Sequence, residues 1–148
     1  MRDKPIDENS VITNGLLRLS WLLERTDYAT IAGKALGLFN ADYERYGVTG
    51  ASYALALDSY ISGPIGITII ASPKSKESGS FKAAALKLYS GRRYVRYLEP
   101  TKDSDQINHL GFDAKKAPVA YVCAGKTCSP PITDPSYMQT TLSSLLAK

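Results

Sequence analysis

The chain is predicted to be mixed α and β, with helices first and a small α/β unit of about three strands second. Three observations carry this. Apolar residues recur at helical spacing in three stretches between Val11 and Ile61. After Gly63-Pro64 the pattern switches to the β-branched run Ile65-Gly66-Ile67-Thr68-Ile69-Ile70-Ala71. Charge changes sign at the same place. Residues 1–63 carry six Lys/Arg against eight Asp/Glu, a net of −2, and residues 64–148 carry twelve against six, a net of +6. Two segments are therefore expected, 1–63 and 64–148.

Met1 to Glu8 is polar and reads as irregular. Asn9 or Ser10 is placed to cap a helix from about Val11 to Arg25. Ile12, Leu16, Leu19 and Leu23 form its apolar stripe, which Val11, Leu17, Trp21 and Leu22 widen, so it is expected to be buried on more than one side. Thr26-Asp27 marks a short turn, and a second helix is expected from about Tyr28 to Tyr46. Its buried face would be Tyr28, Ala32, Ala35, Leu36, Phe39, Tyr43 and Tyr46. The short connection makes these two helices an antiparallel hairpin. Gly47 and Gly50 break the chain before a third helix, about Ala51 to Ile61, with Tyr53, Leu57, Tyr60 and Ile61 on one side. Ser62-Gly63-Pro64 stops it. Three helices do not bury this much leucine and tyrosine alone, so part of their surface is expected to need a cover.

In the second segment, Ser72-Pro73 ends the first strand. A helix follows from about Lys76 to Ser90, with Phe81, Ala84, Ala85, Leu88 and Tyr89 inward, and Gly91 ends it. Tyr94 to Leu98 is the second strand, closed by Pro100, and the intervening helix implies a right-handed parallel crossover. Residues 103–110 read as a short helix with Asp103 or Ser104 as cap. Val119 to Cys123 is the third strand, apolar at both parities and so covered on both faces. Ala124-Gly125-Lys126-Thr127 reads as a four-residue loop. Asp134 at N-cap and Pro135 at N1 open a closing helix with Met138, Leu142, Leu145 and Leu146 on one face.

At 148 residues, 44% hydrophobic and 22% charged, the chain has the composition of a globular protein. No apolar run approaches the roughly 20 residues of a membrane span, and no signal-peptide pattern opens the chain. A cytoplasmic location is expected. There is no G-x-G-x-x-G after the first strand, no P-loop, no H-E-x-x-H and no G-x-S-x-G. No metal and no cofactor is expected, and no reaction is assigned.

The residues that could carry chemistry are few. Cys123 and Cys128 flank the loop, and facing residues of a hairpin sit at a spacing that suits a disulfide. They are read as a reduced or bridged pair that packs the loop, with a thiol-disulfide redox role as the alternative, because C-x4-C is not the redox spacing. His109 is a third potential metal ligand with no fourth in view. Asp58 lies in an otherwise apolar helix, where a carboxylate has a raised pKa or a bound partner unless it faces solvent. Asn9 and Ser10 would either cap their helix or hydrogen-bond a polyol. Arg92, Arg93 and Arg96, with Tyr94 and Tyr97, form a basic and aromatic cluster extended by Lys115 and Lys116. Such a cluster contacts phosphates and stacks bases, or guards an edge strand, and the guard is the preferred reading.

Three groups of residues also resemble a known family. Asn9-Ser10-Val11 with Leu16-Leu17-Arg18-Leu19 resembles a helix start near the end of an (α/α)6 toroid. Ala54-Leu55-Ala56-Leu57-Asp58, then Gly63-Pro64 and the strand Ile65–Ala71, resembles the exit from that toroid. Ala120-Tyr121-Val122-Cys123, Cys128, Pro131 and Thr133-Asp134-Pro135 resemble the closing signature. Together they are similar to the C-terminal part of the thioredoxin-domain-containing, spermatogenesis-associated-protein-like family. The family pattern before the first helix reads Pro-Ser-Gly-Asn, of which Ile6-Asp7-Glu8-Asn9 keeps the Asn. The resemblance implies helices of an incomplete (α/α) toroid, similar to N-acylglucosamine 2-epimerases and six-hairpin glycosidases, followed by an α/β tail. It implies as partner the remaining toroid and a thioredoxin-like portion, in cis or on a separate chain, or self-association. Asp58, Asn9 and Ser10 would then be wall residues of a carbohydrate-related pocket, and the family's redox site would lie outside this chain. The rival function is an interaction module that binds an acidic partner or nucleic acid through the basic cluster.

Overall fold

The structure, a computed structural model, describes residues 5–147. It is mixed α and β, with six α-helices and one four-stranded sheet among the described residues. Two compact units divide after Pro64.

The first unit is helical. Helix α1 is Ile6–Leu23, α2 is Thr26–Gly37 and α3 is Ala51–Ser62, with a 3-10 segment, Tyr43–Gly50, before α3. Helix α1 packs along both α2 and α3. It begins five residues earlier than its apolar pattern suggests. Pro5 is its N-cap, at φ −66°, and Asp7 and Glu8 occupy the first turn, where carboxylates favour the helix dipole. Of the stretch read as irregular, residues 1–4 lie outside the described residues. Helix α1 ends at Glu24, which takes the left-handed conformation at φ 55°.

The second predicted helix is shorter than expected. After Gly37 the bonds tighten to i→i−3: Leu38 to Ala35, Phe39 to Leu36, Asp42 to Phe39 and Arg45 to Asp42. Gly37, Asn40 and Asp42 are weak helix formers, and Gly47 has φ 51° inside the 3-10 segment. The core of this unit is Ile6, Leu36, Phe39, Tyr53 and Ala56, with Tyr46 and Leu57 packed against it. Tyr53 is its centre. Its ring stacks on Tyr43 at 5.6 Å and meets Phe39 edge-on at 6.1 Å, and its hydroxyl donates to the Leu36 carbonyl at 3.2 Å.

The second unit is a three-layer α/β arrangement. Strands β1 (Ile65–Ile70), β2 (Arg93–Leu98), β3 (Val119–Ala124) and β4 (Thr127–Cys128) lie in the order β2-β1-β3-β4. The pair β1–β2 is parallel, and β1–β3 and β3–β4 are antiparallel. The sheet has one strand more than the count of about three, and it is the return of the hairpin expected at Cys123 and Cys128. Ala124 pairs with Thr127, so the hairpin loop is Gly125-Lys126 rather than four residues. Gly125 supplies φ 57°, the left-handed value that a two-residue hairpin takes at a leading glycine.

Helices α4 (Lys76–Lys87) and α6 (Met138–Leu146) cover one face of the sheet, and α5 (Ser104–His109) covers the other. Ile65, Ile67, Ile69, Ala120 and Val122 cluster with Phe81, Ala85, Leu88, Met138 and Leu142. Ile70, Leu98, Val119 and Tyr121 cluster with Ile107, and Leu110 and Phe112 pack against them. Strand β3 is thus buried on both faces, as its unbroken apolar run requires.

Caps define α4 and α6. The Ser78 N–H donates to the Ser75 hydroxyl at 3.1 Å, which starts α4. Helix α4 stops at Lys87, because Leu88 is extended at ψ 97°. Tyr89, expected in the core, is consequently turned out and 98% exposed. Asp134 accepts from the Ser136 N–H at 2.9 Å and opens the 3-10 turn Pro135–Tyr137 before α6. That backbone bond, with a smaller side-chain bond to Ser136, holds the Asp134 carboxyl below its ordinary pKa. A depressed folded-state pKa gives stability that is present above the unfolded value, about pH 4, and is lost as pH falls through the folded value. Asp134→Asn should therefore flatten the acid limb of the stability curve, measured by denaturant titration at stepped pH.

Candidate functional site

No catalytic constellation forms from the candidate residues. Asp58 is exposed and accepts from the Ser62 hydroxyl at 2.8 Å. Of the two readings of Asp58 the solvent-facing one holds, because α3 buries Tyr53, Ala56 and Ser59, a stripe that leaves position 58 outside. Asn9 and Ser10 are not at a helix start. Both lie inside α1, where the Asn9 amide donates to the Pro5 carbonyl at 2.8 Å and the Ser10 hydroxyl donates to the Ile6 carbonyl at 2.5 Å. Ser10 is buried, so its hydroxyl serves its own helix.

Cys123 and Cys128 face each other across β3 and β4 as a disulfide, with Cα atoms 4.0 Å apart. Bridging removes both thiolates, so neither sulfur is a metal ligand in this state. His109 ends α5 on the surface. Among the described residues no group of three His, Cys, Asp or Glu side chains is placed to hold a metal ion. The bridge closes a very short loop, so chain entropy credits it with only about 2 kcal/mol. Reduction should lower unfolding stability by no more than about that amount, and Cys123→Ser with Cys128→Ser should reproduce the loss. Denaturant titration with and without reductant measures it.

Within the basic cluster, Arg93 and Arg96 do not share a face. Strand β2 is an edge strand, and alternation sends its arginines to opposite faces. Arg93 donates from one guanidinium nitrogen to the carbonyls of Ala85 (3.0 Å), Leu86 (3.1 Å) and Leu88, where α4 ends. Placing a cation on orphan C-terminal carbonyls is favourable for the helix. Arg96 is only 8% exposed, with its guanidinium 5.8 Å from the Tyr94 ring centroid. Arg92 is half-buried, while Lys115 and Lys116 are exposed.

A groove of about 390 Å³ lies between α4 and the start of α6. Leu88 and Met138 form its buried floor, and Lys87 is the one charged residue lining it. No carboxylate, thiol or imidazole faces it. Among the described residues every buried side-chain nitrogen and oxygen has a hydrogen-bond partner, so no orphaned polar group awaits a ligand.

The feature with functional content is the surface of α1. This helix buries Ile6, Ser10, Thr13, Leu17 and Ser20, a stripe in which three of five residues carry hydroxyls. Each of those hydroxyls is satisfied by a carbonyl of its own helix: Ser10 donates to Ile6, Thr13 to Asn9 at 2.7 Å, and Ser20 to Leu17 at 2.7 Å. Small side chains also suit a helix that packs on two others. Much of the apolar set expected to be buried faces outward instead, although Leu17 is buried and Leu16 and Trp21 are half-buried. Val11 is 65% exposed, Ile12 62% and Leu23 57%, and Leu19 and Leu22 are exposed as well. Ile31 in α2, Leu38 just after it, and Leu55 and Ile61 in α3 are exposed too. The sequence signal for this was the excess of leucine and isoleucine over what three helices can bury.

No family model matches the chain, and neither a curated protein nor a solved structure matches it.

Proposed function

We propose that this chain is a structural segment of a larger helical assembly and not a catalyst by itself. The observation that carries the reading is the surface of α1, which buries Ser10, Thr13 and Ser20 beside Ile6 and Leu17 and leaves Val11, Ile12, Leu19, Leu22 and Leu23 exposed. Large contiguous apolar patches on soluble proteins mark interaction surfaces. The cover is helical, because the exposed residues keep helical spacing and form a ridge that another helix's groove accepts. The resemblance supplies a source for it: α1 to α3 would belong to an (α/α) toroid whose other helices come in cis or on a separate chain. Any carbohydrate-related chemistry would then reside in the whole assembly, in the cytoplasm. Among the described residues no helix is long and apolar enough to cross a membrane.

Capture of the tagged chain from its own cell lysate tests this. A co-purifying protein of paired helices, lost when Leu19→Glu is used as bait, is the expected result. Equal recovery with both baits would remove the stripe from the interaction. The basic-cluster reading predicts capture that falls steeply as salt rises. The engagement of Arg93 and Arg96 within the fold stands against it.

A further inference from the structure

We propose that the Cys123–Cys128 bridge is a thiol-disulfide exchange site for low-molecular-weight thiols, opened and closed within the folded chain. This goes beyond the assembly reading and does not depend on it. C-x4-C is not the redox spacing, but here strand pairing rather than spacing sets the two sulfurs together. Cys128 is exposed on β4, the outer strand of the sheet, and Cys123 is half-buried on β3. The S–S bond crosses from β3 to β4, so the line through it beyond Cys128 leaves the sheet edge. That line is the one along which a thiolate attacks, and access decides which sulfur it reaches. Lys126, in the turn between the cysteines, is the only charged residue from Val119 to Ile132 and favours an anionic reagent there.

The inner sulfur has a hydrogen-bond donor on its side of the sheet. Gly66 pairs with Cys123 on one strand and with Tyr94 on the other, so the three residues share one face. A Cβ on Gly66 would stand 2.6 Å from the Tyr94 hydroxyl. The glycine therefore lets that hydroxyl reach across β1 toward Cys123, whose side chain lies about 5 Å further on. The Arg96 guanidinium, 5.8 Å from the ring centroid, holds the ring in place. A phenol O–H in this position stabilises Cys123 as a departing thiolate. The hairpin also survives opening of the bridge. Ala124 stays paired with Thr127, the Ser129 N–H donates to the Val122 carbonyl at 2.8 Å, and Ala120 and Ile132 exchange bonds of 2.9 and 2.8 Å. The two thiols remain opposed and close again.

The exchange runs in two displacements. A thiolate RS⁻ attacks the Cys128 sulfur, the S–S bond breaks, and Cys123 leaves as a thiolate. A second RS⁻ attacks the R sulfur of the mixed disulfide, which forms RSSR and releases Cys128. The protons of the two RSH reagents end on the two cysteines, which are reduced as the reagent is oxidised.

Treating the full chain with excess reduced glutathione, with acid-quenched time points read by peptide mass spectrometry, tests the proposal. The expected result is a transient glutathione adduct on Cys128 and reduction of the bridge in native buffer with an unchanged circular dichroism spectrum. An adduct on Cys123, or reduction only at denaturant concentrations that unfold the chain, overturns the proposal. Tyr94→Phe keeps the ring and should slow reduction by about threefold or more. Tyr97→Phe, on the opposite face of β2, should leave the rate unchanged. Equal rates in the parent chain and in Tyr94→Phe would overturn the donor role of Tyr94.

Discussion

Phe81→Ala should lower the stability of the second unit by about 3–5 kcal/mol, the usual cost of deleting a buried aromatic ring. The ring projects from α4 into the cluster of Ile65, Ile67, Leu88, Met138 and Leu142, and it is essentially inaccessible. Its loss removes the contact between helix and sheet and leaves a cavity that β-branched neighbours fill poorly. A loss of this size is a large part of the roughly 5–15 kcal/mol that a domain has in total. Denaturant titration followed by circular dichroism measures it. Leu86→Ala, one turn away on the exposed side of the same helix, is the control and should stay within about 0.5 kcal/mol.

Tyr53→Ala should have a comparable effect on the helical unit, again about 3–5 kcal/mol. Tyr53 joins α3 to the aromatic rings of Phe39 and Tyr43, in a core cluster completed by Ile6, Leu36 and Ala56. Tyr53→Phe separates ring from hydroxyl: it loses only the bond to the Leu36 carbonyl, about 1 kcal/mol. The same residue sets an alkaline limit. Burial, and then the neighbouring Tyr43, push the Tyr53 hydroxyl above the ordinary tyrosine pKa. A raised folded-state pKa gives stability that is fully present below the unfolded value, about pH 10, and is lost as pH rises through the folded value. Tyr53→Phe should remove that decline while leaving the neutral-pH spectrum intact.

Where local pattern decides structure, the sequence was readable. The β-branched run became the central strand β1, and Asp134-Pro135 opens the closing helical segment. Strand β3 is apolar at both parities because helices cover both faces of the sheet. Local tightening was less legible. The apolar periodicity of Tyr28 to Tyr46 continues across a break, because Phe39 and Tyr46 reach one core from a 3-10 path as well as from a helix. Tyr89 kept the spacing of a core residue, but its helix had already ended.

The face of α1 was misassigned for a deeper reason. Periodicity identifies the apolar face of a helix, but what covers that face depends on which neighbours the chain supplies. Here α2 and α3 pack on the side of Ser10, Thr13 and Ser20, where small side chains permit close approach and internal hydrogen bonds satisfy the hydroxyls. The candidate site residues were likewise weighed by type and not by partner. Arg93 could not be recognised as a helix terminator until α4 had a fixed end, whereas the solvent-facing reading of Asp58 was open from the sequence and the buried face of α3 decided it.

The most direct measurement is the thiol-labelling rate of Leu19→Cys, taken in fresh lysate at native abundance and again in the dilute purified chain. Leu19 is exposed in the chain alone and belongs to the stripe assigned to an interface. Slow labelling in the lysate and fast labelling on dilution is the predicted result. Equally fast labelling in both would mean that nothing covers α1, and would contradict the assembly reading.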